Sequence, residues 1–150
     1  GGFDLILLLY GEFCLLTEEE RALLLKDAKA ALTPGGRIVL ELFNQPVDEV
    51  ILERNWEFIP GNGFWTEEPY LELSVTDRYQ RAEAILHRFY IVTESGIREE
   101  RIWETSMSEK RITQESSRAG VLVEDLLWDH PLFDGGGLEE GRRWVLAILS

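Results

Sequence analysis

Hydrophobic and polar positions are spaced differently in successive parts of the chain, and the changes of spacing divide it. Phe3-Asp4-Leu5-Ile6-Leu7-Leu8-Leu9 is apolar at nearly every position, the pattern of a parallel strand covered on both faces rather than half exposed to water, so it reads as an inner strand. Thr17 followed by Glu18, Glu19 and Glu20 predicts a capping box. The Thr hydroxyl accepts an orphan helix N–H while Glu20 reaches back, and the acids suit the positive end of the dipole. Leu24, Leu25, Ala28, Ala31 and Leu32 recur at helical spacing, and Pro34-Gly35-Gly36 stops the helix and turns the chain. Arg37-Ile38-Val39-Leu40-Glu41-Leu42 returns as a second strand. A helix joining two parallel strands makes a right-handed crossover.

Beyond Leu42 the signals shorten. Phe43-Asn44-Gln45-Pro46 leads into Val47, Val50, Ile51 and Leu52, which predicts a short helix ending near Asn55 and packing on the sheet. Trp56 to Ile59 is a brief extended piece, closed by a turn at Pro60-Gly61-Asn62-Gly63. That turn lacks the buried strand before it and the helix after it that let backbone N–H groups converge on a phosphate. From Tyr70 to Ser106 the period becomes two. Leu71, Leu73 and Val75 alternate with Glu72, Ser74 and Thr76, then Ala84 to Thr93 and Ile97 to Thr105 follow around a Ser95-Gly96 turn. Three long antiparallel strands are predicted. Thr113 to Ala119 reads as a helix, Val121 to Leu127 as a strand, Asp129-His130-Pro131 through Gly137 as a polar connection, and Arg143 to Leu149 as a final strand.

The stretch Phe3-Asp4-Leu5-Ile6, a short loop with Tyr10 and Phe13, a helix, and then Leu32-Thr-Pro-Gly-Gly-Arg-Ile-Val-Leu40 resembles the fourth and fifth strands of class I S-adenosylmethionine-dependent methyltransferases. Helix, Ala119-Gly120 and strand resemble that family's sixth-strand entry, and the last strand its carboxyl-terminal hairpin. The fold class expected is therefore α/β: a partial Rossmann-like, methyltransferase-type sheet with an inserted antiparallel β-sheet at about residues 65–106, the whole of 1–150 read as a single domain. Enzymes of this kind bind the cofactor at a glycine-rich loop after the first strand and an acidic residue after the second, and no such pair is found before Phe3. The resemblance thus implies the carboxyl-terminal part of a longer enzyme. It further implies S-adenosylmethionine as the cofactor of the complete enzyme, bound weakly or not at all by this chain alone. Some family members, including amino-sugar methylating enzymes, carry such an insert as a roof over the substrate pocket or as a subunit contact.

Composition narrows the partners. The 150 residues are 45% hydrophobic and 29% charged, enough for one real core. A formal charge of −13 disfavours nucleic acid and acidic membranes, since counterion release needs a basic surface. The longest apolar run falls far short of the roughly 20 residues that span a bilayer, and no signal-peptide pattern is present, so a cytoplasmic protein is expected. Cys14 is the only cysteine, which excludes an internal disulfide and a cysteine metal site. It reads as a small, partly buried side chain beside the strand-end loop.

The residues offer little self-contained chemistry. His87 and His130 lack the spacing of a zinc pair, and no nucleophile elbow is present. Ligands of open parallel sheets sit beyond the carboxyl ends of the strands, which singles out Tyr10-Gly11-Glu12-Phe13 as the cofactor- or substrate-facing loop. There Tyr10 and Phe13 either shape a pocket or cap the core, and Glu12 could take a proton. In the insert, Trp65, Tyr70, Tyr90 and Trp103, with Tyr79 and His87 nearby, are substrate-pocket candidates, though a plain core explains them equally well. Finally, an all-apolar strand left at a sheet edge invites pairing with its like, so a homodimer is expected, through Phe3 to Leu9 or through the insert of Tyr70 to Thr105.

Overall fold

The computed structural model describes residues 2–128 and 144–150. The chain divides into two compact units, one formed by residues 1–46 and 105–150, the other by 47–104. The first unit contains β1 (Phe3–Leu8), α1 (Glu12–Leu15), α2 (Glu18–Ala31), β2 (Leu32–Phe43), α3 (Glu109–Arg118), β7 (Val123–Trp128) and β8 (Trp144–Leu149). Its four strands lie in the order β1-β2-β8-β7. β1 runs parallel to β2, with Leu5 opposite Arg37 and Leu8 opposite Leu40. β8 lies antiparallel between β2 and β7, placing Leu40 opposite Ala147 and Ala147 opposite Leu126. The parallel crossover is the one the spacing predicts and the antiparallel last strand the one the resemblance implies; Arg143, His130 and the Asp129 to Gly137 connection lie outside the described residues.

The two faces of this sheet differ. Ile38, Leu40 and Leu42 with Val145, Ala147 and Leu149 are buried. α2 packs on β2 and on α3, and α3 on β7, so this is the helix-covered face. Val39, Glu41, Leu146 and Ile148 on the other face are only half-buried, and Leu5 and Leu7 of β1 are 51% and 52% exposed. β1 was read as an inner strand covered on both sides; among the described residues it is instead an edge strand covered on one side only. Its apolar composition records surface that the described residues leave open.

Helix starts follow side-chain caps. Thr17 and Glu20 form the full capping box; the hydrogen bonds from Thr17's backbone and hydroxyl hold the Glu20 carboxyl below its ordinary pKa. α3 begins at Glu109 rather than Thr113, because the Ser108 hydroxyl accepts from the Arg111 N–H at 3.3 Å and nucleates the turn earlier. Arg21 and Glu115, 1% and 7% exposed, clamp the helices together. The guanidinium makes two hydrogen bonds to the carboxylate, Nε to Oε2 at 2.6 Å and Nη2 to Oε1 at 2.8 Å.

The second unit is a four-stranded sheet in the order β3-β4-β5-β6, with β3 at Arg54–Ile59, β4 at Tyr70–Tyr79, β5 at Ala84–Thr93 and β6 at Gly96–Thr105, whose last residue belongs to the first unit. β4 pairs antiparallel with both β3 and β5. Three long strands were predicted and are present, joined by a fourth. The helix expected from Pro46 to Asn55 is not formed: only Val47–Glu49 makes a 3-10 turn. Ile51 and Leu52 are 69% and 54% exposed, so no helical stripe is buried there. The ladder between Arg54–Ile59 and Tyr70–Val75, begun by the Thr76 N–H to Glu53 carbonyl bond, holds this segment extended.

Candidate functional site

β1 and β2 are parallel, so their carboxyl ends, Leu8 and Phe43, lie at the same end of the sheet. The chain leaves β1 through two left-handed residues, Tyr10 at φ 60° and Gly11 at φ 68°, before turning into α1. A non-glycine residue in that conformation is uncommon and requires support from its surroundings. Support comes from Glu41, whose carboxylate accepts the Tyr10 backbone N–H. At Gly11 a Cβ would lie 3.0 and 3.2 Å from the Trp144 ring, tight enough that the ring would have to shift, and glycine tolerates the dihedral at no steric cost.

Beneath the turn, Phe13 and Cys14 are 2% and 1% exposed. The Cys14 sulfur accepts the Phe43 N–H at 3.2 Å, which ties α1 to the end of β2 and gives the cysteine the packing role expected of it. Phe43 meets Trp144 edge to face at 6.0 Å. The Arg21 guanidinium lies 5.9 Å from the Phe13 ring centroid and also donates to the Leu16 carbonyl. The chain leaving β2 is held from the other side: Met107 N–H donates to the Phe43 carbonyl at 2.9 Å, and the Ser106 hydroxyl to the Gln45 carbonyl at 2.7 Å.

The four predicted loop residues are therefore together but unlike. Tyr10 is 85% exposed and Glu12 is exposed, whereas Phe13 is core and Gly11 is buried. Of the two readings left open for the aromatic pair, Phe13 caps the core and Tyr10 does not. Glu41 and Trp144 were not singled out in the sequence. The signal for Glu41 was a lone acid within the apolar run Ile38 to Phe43; Trp144 had none.

The insert's aromatic residues divide between the faces of their sheet. Trp65 donates its indole N–H to Glu72 at 2.7 Å and packs on Phe89, centroids 5.2 Å apart. Tyr70, on the same side by strand alternation, is 2% exposed over Gly63. Tyr90 sits opposite Leu73 on the other side and accepts from Arg88 at 3.3 Å. Trp103 pairs with Tyr79 at 4.9 Å, lining a groove that also includes Arg88. The four candidates thus form two separate pairs rather than one wall. His87 contacts Thr76 at 3.3 Å and Glu104 at 3.7 Å. Among the described residues no three His, Cys, Asp or Glu side chains are grouped to hold a metal ion, and no helix is long and apolar enough to cross a membrane.

No family model matches the sequence, and no curated protein matches it. Solved structures do match the fold. The CcbJ methyltransferase from Streptomyces caelestis is similar with a TM-score of 0.61 at 17% identity, over 99% of this chain and 57% of that one. An S-adenosylmethionine-dependent methyltransferase from Clostridium acetobutylicum gives 0.64 at 12% identity, over 99% and 58%. CalS10 from Micromonospora echinaspora, an amino pentose methyltransferase involved in calicheamicin biosynthesis, gives 0.54 at 20%, over 97% and 58%. At these identities the likeness is one of fold: a methyltransferase-type α/β architecture with two sheets. The chain spans less than two thirds of the length of each of these structures.

Proposed function

We propose that the chain belongs to the class I S-adenosylmethionine-dependent methyltransferases and supplies the carboxyl-terminal part of an enzyme that methylates a small-molecule acceptor. The observation that carries this reading is the strained Tyr10-Gly11 turn at the shared carboxyl end of β1 and β2, fixed by Glu41. Strain at that end of a parallel sheet accords with a ligand site rather than with packing. The residues present suit part of the cofactor. A sulfonium is a cation, and the turn offers two carboxylates, Glu12 and Glu41, together with an exposed Tyr10. When bound, the donor supplies an electrophilic methyl group. Direct transfer then depends mainly on holding donor and acceptor in line. Tyr10 is the chain's contribution to that alignment, and exposed Glu12 the group able to take a proton from the acceptor. The likeness to CalS10 supports an amino sugar as the first acceptor class to try.

Among the described residues no glycine-rich loop joins an apolar strand to a helix, so on this reading the chain alone binds S-adenosylmethionine weakly or not at all. Labelled S-adenosylmethionine is titrated onto this chain and onto the longest natural polypeptide that contains it, with amino sugars as acceptors. Saturable binding and turnover by the longer polypeptide support the reading; robust methylation by this chain alone overturns the proposed division, and no binding by either overturns the function.

A second reading, an assembly module, is favoured by one observation. β1 is an apolar edge strand with Phe3, Leu5 and Leu7 more than half exposed, and an edge of that kind invites strand pairing. A homodimer joined through β1 satisfies it, and the insert sheet is the alternative surface. Light scattering that finds only monomer at high concentration removes this reading.

A further inference from the structure

One surface of the insert concentrates cationic side chains in a chain whose net charge is −13. A groove of about 960 Å³ is lined by Arg78, Arg81, Arg88 and Arg101, and among the described residues the one carboxylate lining it is Asp77. Two of the guanidiniums are balanced: Arg88 by Asp77, and Arg101 by Glu99 at 2.8 Å. Those contacts raise both guanidinium pKa values, so both remain charged. Arg78 spends its contact on the neutral carbonyl of Asp48, and no carboxylate is paired with Arg81 among the described residues. Positive charge is therefore in excess.

Hydrogen bonding points the same way. Arg88 donates from Nη1 to the Tyr90 hydroxyl and from Nη2 to Asp77, but among the described residues its buried Nε–H has no partner. A buried donor left unpaired costs free energy that an added acceptor restores. Beside the arginines stand Tyr79 and Trp103, 42% and 45% exposed, their rings 4.9 Å apart and tilted 53°. An indole half open to water next to guanidiniums offers a stacking surface and charge-assisted donors at once.

We propose that this groove binds a small organic oxyanion, a phosphate or carboxylate carried on a planar ring, with Arg81 and Arg88 meeting the anion and Trp103 and Tyr79 the ring. Every residue that lines the groove belongs to the second unit. A bare anion engages the arginines alone and binds more weakly, because the ring adds stacking. Glu99 and Asp77 limit the charge to one or two units, which favours a small ligand over a polyanion such as nucleic acid.

The test uses the full chain with phenyl phosphate, benzoate and inorganic phosphate as probes, followed by tryptophan fluorescence and calorimetry. The expected result is saturable binding of a ring-bearing probe below about 10 mM, tighter than inorganic phosphate. Tighter binding of phenyl phosphate than benzoate assigns the anion as phosphate; the reverse order assigns a carboxylate. Arg81→Gln weakens every probe about tenfold, the loss expected for one charge-assisted contact. Trp103→Leu weakens the ring-bearing probes about tenfold and leaves inorganic phosphate unchanged. Far-UV circular dichroism checks that both variants fold. The proposal is overturned if no probe saturates, if neither substitution alters affinity, or if a second copy of the chain shields Trp103 and the probes have no effect.

Discussion

The Arg21–Glu115 pair permits a quantitative test of how the first unit is held together. Both side chains are nearly inaccessible and joined by two charge-assisted hydrogen bonds at 2.6 and 2.8 Å. Arg21 also donates to Thr105 Oγ1 at 3.3 Å and to the Leu16 carbonyl, and it faces the Phe13 ring. Glu115→Gln keeps shape and volume but leaves a buried guanidinium without its counter-charge. Breaking one side of a buried pair costs about 3–5 kcal/mol, whereas replacing both partners with apolar groups is often close to neutral. Arg21→Met alone should cost a similar amount, because among the described residues the cation then left to buried Glu115 is Arg111, at 3.8 Å. The double variant Arg21→Met/Glu115→Leu should lose less than either single one, limited to the Leu16 and Thr105 contacts, about 1–2 kcal/mol in all. Urea denaturation followed by circular dichroism, combined as a double-mutant cycle, measures this. For a unit of this size, 3 kcal/mol is roughly 12–24 °C in Tm. If Glu115→Gln changes stability by under about 1 kcal/mol and the coupling is near zero, the pair is not a buried clamp and the helix packing described here is incorrect.

Three further outcomes follow from named contacts. Gly11→Ala combines a left-handed dihedral with a Cβ 3.0 Å from Trp144, whereas Gly35→Ala has φ 85° and open space. Both should lose about 1 kcal/mol from the dihedral, and thermal melting should show a further loss only for Gly11. Glu20, Glu99 and Glu124 have pKa values lowered by Thr17, Arg101 and Arg37 respectively, so their stabilising contribution is present above the unfolded carboxylate pKa and is lost as pH falls through the lower folded value. Glu20→Ala should therefore lower the urea midpoint at pH 7 and differ progressively less from the parent as pH falls below the ordinary carboxylate range of about 4; a difference that does not shrink would contradict this. Leu7→Lys places a charge on the exposed side of β1 and should abolish any dimer formed through that edge, as read by light scattering, while Glu72→Lys should not.

Much of the first unit was legible because its signals are local. The Thr17 to Glu20 cap, the Pro34-Gly35-Gly36 stop and the apolar runs on either side depend on neighbours a few residues away, and those elements formed in the expected order, though α2 ends at Ala31 and β2 starts at Leu32 rather than Arg37, taking in Pro34-Gly35-Gly36. Likewise the period-two run from Tyr70 identified the insert. The helix expected after Pro46 failed because Val47, Val50 and Ile51 have helical spacing, yet pairing of Arg54–Ile59 with a distant strand governs that segment. α3 began early because Ser108 competes better for the cap than Thr113. At the candidate site the loop was legible from its position after an apolar strand. Its support by Glu41 and Trp144 was not, since those contacts join residues far apart in sequence. The aromatic set in the insert was legible as a set. Its division between two faces depends on register, which composition does not carry.

The central claim, that the Tyr10 to Phe13 turn is where a methyl donor meets this chain, is tested most directly by hydrogen exchange on the longest natural polypeptide containing it, with and without saturating S-adenosylmethionine. The account predicts that the donor slows exchange at the backbone amides of Tyr10 to Leu16 and that Glu41→Ala removes that protection. Donor binding that leaves those amides unchanged, with protection elsewhere, contradicts it.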